Sequence, residues 1–224
     1  MLKLNLGCGD RTPDGWINVD YALGAWLFKI PGFRAVNKKV RLLNLTWSDK
    51  VFIHNLCRKL PWADNSVDVV YSSHTLEHLS KEEGLSLLQE CYRVLKPNGT
   101  IRIVVPDLKY IIDLYQQQQV AADDVLNLLH VGYSSAKDGF WKQRFGPFIR
   151  CPHKCMYDDK SLLRIMSEIG FQVTSKSAFE SNIEDINIIE KESRTKESVI
   201  VEGIKAESPS VLSESTNVGV ALKA

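Results

Sequence analysis

The residues best able to do chemistry begin near the start of the chain. Leu4-Asn5-Leu6-Gly7-Cys8-Gly9 runs an apolar stretch into two glycines. A glycine at a strand end permits positive φ and lets a ligand approach the backbone, and a plain tight turn would use the same residues. Asp20 closes the next apolar stretch, Trp16-Ile17-Asn18-Val19-Asp20. A carboxylate there can accept the ribose hydroxyls of an adenosine. Strand, Gly-x-Gly, strand and terminal acid together point to adenosine binding. Further on, His74, Glu77 and His78 follow a third apolar run, and Cys151-Pro152-His153-Lys154-Cys155 gathers thiols around an imidazole.

The kind of adenosine cofactor follows from what the glycine turn lacks. A dinucleotide site wants a third glycine and a helix N-terminus to hold a pyrophosphate. Here position 12 is Thr, Pro13 follows, and no Gly-Lys-Ser/Thr loop occurs. S-adenosylmethionine (SAM) carries a sulfonium and an amino acid instead of phosphates and needs no such helix. The turn therefore favours SAM over NAD or ATP. Neither histidine-bearing segment reads as a metal site. The spacing of Glu77 and His78 is not that of a His-Glu-x-x-His motif, and a third ligand has no visible counterpart. Cys151 and Cys155 lack the second cysteine pair of a structural zinc site. Glu77 and His78 are read as structural, and no metal is expected.

The elements that must position these residues alternate. Apolar runs at 2–6, 16–20, 51–54, 67–71, 101–105, 171–173 and 198–202 read as strands. Ser80 caps a helix through Leu85, Leu88, Cys91, Tyr92 and Leu95, which Pro97-Asn98-Gly99 ends. Residues 108–130 read as mainly helical. Asp158 or Asp159 caps another helix, closed by Gly170. Residues 21–49 read as partly helical. This order implies an α/β fold, a doubly wound and mostly parallel sheet with helices on both faces. Only Asp10 to Gly15 separate the first two strands, and Pro13 and Gly15 leave no room for a helix there.

With 224 residues, one domain is expected over 1–206, followed by a polar, Ser-rich tail, 207–224, without periodic pattern. Residues 132–157 break the rhythm and read as a lid or insertion. That segment holds Lys137, Lys142, Arg144, Arg150 and Lys154 against Asp138, five minus one, or +4. Tyr133, Phe140, Trp141, Phe145 and Phe148 lie among these charges. The mixture suits a wall for a sugar or an anionic acceptor, and equally a solvated lid with an apolar underside. A formal net charge of +1 gives no general reason to expect nucleic acid or an acidic membrane as partner. The five cysteines are scattered, no signal peptide is evident, and no apolar run approaches the roughly 20 residues that span a bilayer. A cytoplasmic location with reduced thiols is expected, with no membrane partner.

The motifs, taken together, carry a family resemblance. Leu4 to Gly9 resembles motif I of class I SAM-dependent methyltransferases. Leu60-Pro61-Trp62-Ala63-Asp64-Asn65-Ser66-Val67-Asp68-Val69-Val70 is similar to the segment leading into the family's fourth strand. His74-Thr75-Leu76-Glu77-His78-Leu79 resembles its H-x-L-E-H stretch. Arg93-Val94-Leu95-Lys96-Pro97-Asn98-Gly99-Thr100 is similar to its R-V-L-K-P-G-G helix end, and Tyr157 through Phe171 to the segment before its last two strands. The matches run in family order, and the chain resembles a type 11-like, compact subgroup that lacks the first helix. The resemblance implies a Rossmann-like, seven-stranded sheet with an antiparallel last strand.

It also implies roles. Gly7, Cys8 and Gly9 would lie along the methionine part of SAM, Asp20 would hold the ribose, and Asn55 and Leu56 would meet the adenine. Many relatives carry Asp where this chain has Asn55, whose amide oxygen can still accept a bond. Ser73 and His74 would face the sulfonium. Methyl transfer is an in-line displacement in which the protein aligns the acceptor and excludes water. His74 is the first candidate base and His153 the second, although His74 could simply pack or bond to backbone. Trp141, Arg144 and Tyr157 are candidate acceptor contacts. The expected activity is methyl transfer to a hydroxyl or amine of a small-molecule or saccharide acceptor. The alternatives are a catalytically inactive SAM-binding or scaffold module and a nicotinamide oxidoreductase, the latter disfavoured by the missing glycine.

Overall fold

The computed structural model describes residues 1–40, 47–131 and 152–207. Seven strands form one sheet: β1 (Lys3–Leu6), β2 (Ile17–Asp20), β3 (Phe52–Ile53), β4 (Val67–Ser73), β5 (Leu95–Pro106), β6 (Phe171–Ser175) and β7 (Ser198–Lys205). Their order is β3-β2-β1-β4-β5-β7-β6. The pairs on the β3 side of β5 are parallel, whereas β7 runs antiparallel to both β5 and β6. This is the Rossmann-like arrangement expected from the sequence. The described helices are α1 (Leu23–Leu27), α2 (Phe33–Val40), α3 (Lys81–Val94), α4 (Leu108–Gln116), α5 (Ala122–Leu128), α6 (Asp159–Ile169), α7 (Ile186–Ile189) and α8 (Glu192–Thr195).

Alternate strand residues serve two cores. On one face Leu4, Leu6, Val70, Ile101, Ile103 and Val201 pack with Leu87, Leu88, Cys91 and Val94 of α3 and with Leu162 and Met166 of α6. On the other, Trp16, Val69, Tyr71, Val104 and Ile200 meet Ile183, Ile186 and Ile189. Strands covered on both faces read as continuous apolar runs, which is why β1 and β4 are so legible. Arg102 and Glu202 face each other across β5 and β7 in the second layer, and both are buried.

No helix joins β1 to β2. The backbone N–H groups of Gly7 and Cys8 donate to Val19 O at 2.9 and 3.0 Å. Asn5 Nδ2 donates to Arg11 O and to Asn18 Oδ1, and Asn18 Nδ2 to Pro13 O and Trp16 O. Two buried amides thus satisfy a loop that a helix would otherwise organise.

The α3 helix starts with a capping box. Ser80 Oγ accepts from Glu83 N at 3.2 Å, and Glu83 Oε2 accepts from Ser80 N at 2.8 Å. Ser80→Ala is expected to lower stability by about 1 kcal/mol, read from the denaturant midpoint at unchanged slope. The α6 helix ends as expected at Gly170, whose φ of 116° suits glycine.

Two expectations change. The helix ahead of Pro97 ends at Val94, and β5 begins at once: Val67 pairs with Leu95 and Val69 with Thr100, so residues 96–99 bulge between them. Pro97 has no N–H to donate, and Asn98 sits at φ 63°, which suits a bulge better than a helix end. The helical stretch 108–130 is broken between α4 and α5, where Gln118 turns at φ 58°. Residues 152–157, the end of the expected lid or insertion, are pinned to the body of the fold. Lys154 N and Cys155 N both donate to Glu77 O, and Tyr157 bridges to Asp107. Residues 132–151 and the tail from 208 lie outside the described residues.

Candidate active site

The carboxyl ends of β1, β2, β4 and β5 converge, the place where ligands bind in open α/β sheets. Gly7 leaves β1 at φ 72°, and a Cβ there would stand 1.9 Å from Thr75 Oγ1. Glycine is therefore required on both conformational and steric grounds. Asp20 ties the turn together. Its Oδ2 accepts from Gly9 N at 2.9 Å, and its Oδ1 accepts from Tyr21 N at 2.7 Å and Ala22 N at 2.8 Å. One lone pair of Oδ2 remains for a ribose hydroxyl. Cys8 is buried behind the turn, and burial reinforced by Asp20 pushes its thiol pKa up to about 12. It remains a neutral thiol, as a small turn residue should.

Asn55 follows β3, next to His54, whose N–H donates to Asp20 O. Asn55 Oδ1 accepts from Cys57 N at 2.9 Å, which leaves its Nδ2 and one further oxygen lone pair for an adenine. Leu56 is nearly buried beside it.

Two cavities lie past the strand ends. The smaller, about 20 Å³, is lined by Gly7, Cys8, Arg11, Tyr71, Ser73 and Arg194, among others. It has room for about one water molecule. Admitting the amino-acid end of a cofactor requires the α7–α8 segment, which contributes Ile189, Lys191 and Arg194, to move outward. Ser73 Oγ and Arg11 Nε are buried there without hydrogen-bond partners.

The larger cavity, about 870 Å³, includes His74, Glu77, His78, His130, His153 and Arg194 in its lining. Arg194 belongs to both cavities. His74 takes a left-handed backbone (φ 52°) at the end of β4. Its Nε2 lies 2.8 Å from Arg194 O, so that nitrogen donates, and its Nδ1 lies 3.3 Å from Glu77 Oε1. Nε2 is thus held by the backbone, while Nδ1 faces the carboxylate. His74 and His78 do not share an α-helical face, because Leu76–His78 forms a 3₁₀ turn. His153 lies against both His78 and His130, with ring centroids 5.0 and 5.4 Å apart. Burial holds its pKa below the ordinary histidine value, against the opposing pull of Glu77.

The sequence-predicted residues thus divide. Gly7, Cys8 and Ser73 line the small cavity, and His74 and His153 line the large one. Tyr157 is 4% exposed within the core, its hydroxyl close against Gly84, and it lines neither of these cavities. Its position directly before α6, pinned to Asp107, draws the ring inward. Trp141 and Arg144 lie outside the described residues. Sequence reasoning missed Arg11, Lys191, Arg194, Tyr110 and His130. Arg11, two positions past the glycine turn, had a local signal; Arg194 had none.

A family model described as a methyltransferase domain matches residues 29–103. A phosphoethanolamine N-methyltransferase from Plasmodium falciparum is 27% identical over 48% of this chain and 45% of its own length. The chain thus spans less than half the length of that curated relative. A SAM-dependent methyltransferase structure from Methanosarcina mazei superposes with a TM-score of 0.51 at 15% identity, covering 92% of each chain. Over residues 29–103 the chain is thus similar to a methyltransferase domain, and its fold is that of a SAM-dependent methyltransferase structure. The Gly7–Gly9 turn and Asp20 lie at the carboxyl ends of β1 and β2, where ligands bind in open α/β sheets. Among the described residues no helix is long and apolar enough to cross a membrane.

Proposed function

We propose that this chain transfers the methyl group of SAM to a hydroxyl or amine of a small-molecule or saccharide acceptor. The observation that carries this reading is the pair of adjoining cavities that share Arg194, one at the glycine turn and one at the histidines. A cofactor seated along Gly7, Cys8 and Ser73 would present its methyl toward the larger cavity, which has the volume of a small-molecule site. The polypeptide contributes alignment and exclusion of water. Arg194 and Lys196 stand in that lining beside two carboxylates, Glu77 and Glu197, so the wall can pair with both charges of a zwitterionic acceptor, and His74 and His153 are the candidate bases. That the curated relative acts on phosphoethanolamine, an anionic amine, supports the same acceptor class.

A second reading, a module that binds or scaffolds without turnover, is favoured by the closeness of the small cavity. Calorimetric titration of the full chain with S-adenosylhomocysteine, with NADH as control, tests the cofactor pocket, and labelled-methyl transfer from SAM across a panel of acceptors separates turnover from binding alone. Micromolar binding of S-adenosylhomocysteine alone is expected. Absence of binding by a folded chain would remove the cofactor assignment and bring the scaffold reading forward.

A further inference from the structure

Four of the chain's five histidines, His74, His78, His130 and His153, line the large cavity together with two carboxylates, Glu77 and Glu197. Glu77 is fully buried, and both its carboxylate oxygens lack a hydrogen-bond partner. His153 Nδ1 is buried and unpartnered as well. Burying a carboxylate is costly unless it is paired or coordinates a cation. The contact from His74 Nδ1 to Oε1, at 3.3 Å, reaches only one of the two oxygens and satisfies it only with a protonated ring. With the His74 Nε2 hydrogen directed at Arg194 O, a neutral ring turns a lone pair, not a hydrogen, toward Glu77.

The backbone around Glu77 is firmly held, so this arrangement is a built one. Lys154 N and Cys155 N donate to Glu77 O at 2.8 and 3.2 Å, which brings His153 back to a 3₁₀ turn far from it in sequence. His153 N donates to His130 O at 3.2 Å. Glu77, His78 and His153 each offer a ligand atom, and these atoms lie within 4.8 Å of one another. Donors about 2.0–2.2 Å from a tetrahedral zinc ion stand about 3.4 Å apart, so small side-chain rotations bring them to bonding distance. Pro152 O, 3.4 Å from His78 Nδ1, is placed to hold a hydrogen on that nitrogen and leave Nε2 as the ligand.

We infer that Glu77, His78 and His153 bind one divalent transition-metal ion, zinc by their donor set, at the wall of the large cavity. Two imidazoles and a carboxylate form a borderline set suited to zinc, and three protein ligands leave an open position. The site stands apart from the methyl-transfer reading; only its role toward an acceptor rests on that reading. There, an acceptor oxygen would occupy the open position and lose its proton more readily, with His153 acting as ligand rather than base.

The test uses the untagged full chain, stripped by a chelator and dialysed, then titrated with Zn²⁺ in a calorimeter and with Co²⁺ in a spectrophotometer. One ion per chain is expected. The cobalt spectrum should show the visible bands of tetrahedral nitrogen and oxygen ligation without a thiolate charge-transfer band. His78→Ala and His153→Ala, at partly exposed positions, should each abolish stoichiometric binding, while Cys57→Ala, at an exposed thiol, should not. Absence of stoichiometric binding by the parent chain, a thiolate band, or unchanged binding in both histidine variants would overturn the site. If the variants fail to fold, the parent cobalt spectrum decides alone. None of these readouts involves SAM, so failure here leaves the S-adenosylhomocysteine titration unaffected.

Discussion

Replacing Arg102 with alanine is expected to destabilise the fold by about 3–5 kcal/mol, read from denaturant midpoints at constant slope. Arg102 lies in the middle of β5 with no exposed surface. Its Nε and Nη2 hold Glu190 in a bidentate pair at 2.9 Å each, and its Nη1 reaches Glu202 Oε1 at 2.9 Å. Glu180 O and Ser177 O accept from the remaining donors. Truncation leaves two buried carboxylates without their cation, the case in which loss of one partner costs most. The loss is a large part of a total stability of roughly 5–15 kcal/mol. Arg102→Met combined with Glu190→Gln and Glu202→Gln should recover much of it. Glutamine oxygens can still accept from Phe179 N and Asn182 N, which now bond to these carboxylates. A single-variant loss below about 1 kcal/mol, or a triple variant no better than the single, would refute this account.

The same network matters to the site. Arg102 binds the chain at Ser177, Glu180 and Glu190, the segment that leads into Ile189, Lys191 and Arg194 at the small cavity. The segment carries α7 and α8, four residues each, and is held to the sheet by three isoleucines and this ion cluster. An element so short forms little intrinsic helix, and tertiary contacts hold it.

That shortness also explains what sequence reasoning could see. Strands β1, β4 and β7, buried on both faces, announce themselves as apolar runs, and α3 and α6 carry caps and helical spacing. In residues 176–197 the three-residue recurrence of Ile183, Ile186 and Ile189 is too short to mark a helix, so neither the cover of the second sheet face nor Arg194 was legible. Polarity misled in another way. Arg102 breaks the apolar run Ile101 to Val105 without marking its partners, because they come from loops and β7. Glu77 and His78 looked structural since no third ligand lies near them in sequence; the fold supplies His153 through two backbone hydrogen bonds to Glu77 O. Glycines and strand-end acids carry local signatures, whereas clusters assembled by chain crossings do not.

Asp20→Ala is expected to weaken S-adenosylhomocysteine binding by about 100-fold or more in the calorimeter. Hydrogen bonds to a charged group contribute about 1.5–3 kcal/mol each, and about 1.4 kcal/mol is tenfold in Kd. The loss would have two sources. The carboxylate would no longer receive a ribose hydroxyl on the free lone pair of Oδ2. The turn itself would loosen, because Gly9 N, Tyr21 N and Ala22 N would lose the acceptor that fixes the glycine loop against the start of α1. Asp20→Asn separates these sources. One amide oxygen can serve Tyr21 N and Ala22 N as Oδ1 does now, but the NH2 group would then confront Gly9 N, donor against donor, and offer the ribose no lone pair. The Asn variant should therefore keep more stability than the Ala variant while binding about as poorly. If the Asn variant bound normally, Asp20 would be a turn-building residue alone. The ribose would then have to be held elsewhere along the edge formed by Gly9, His54 and Asn55.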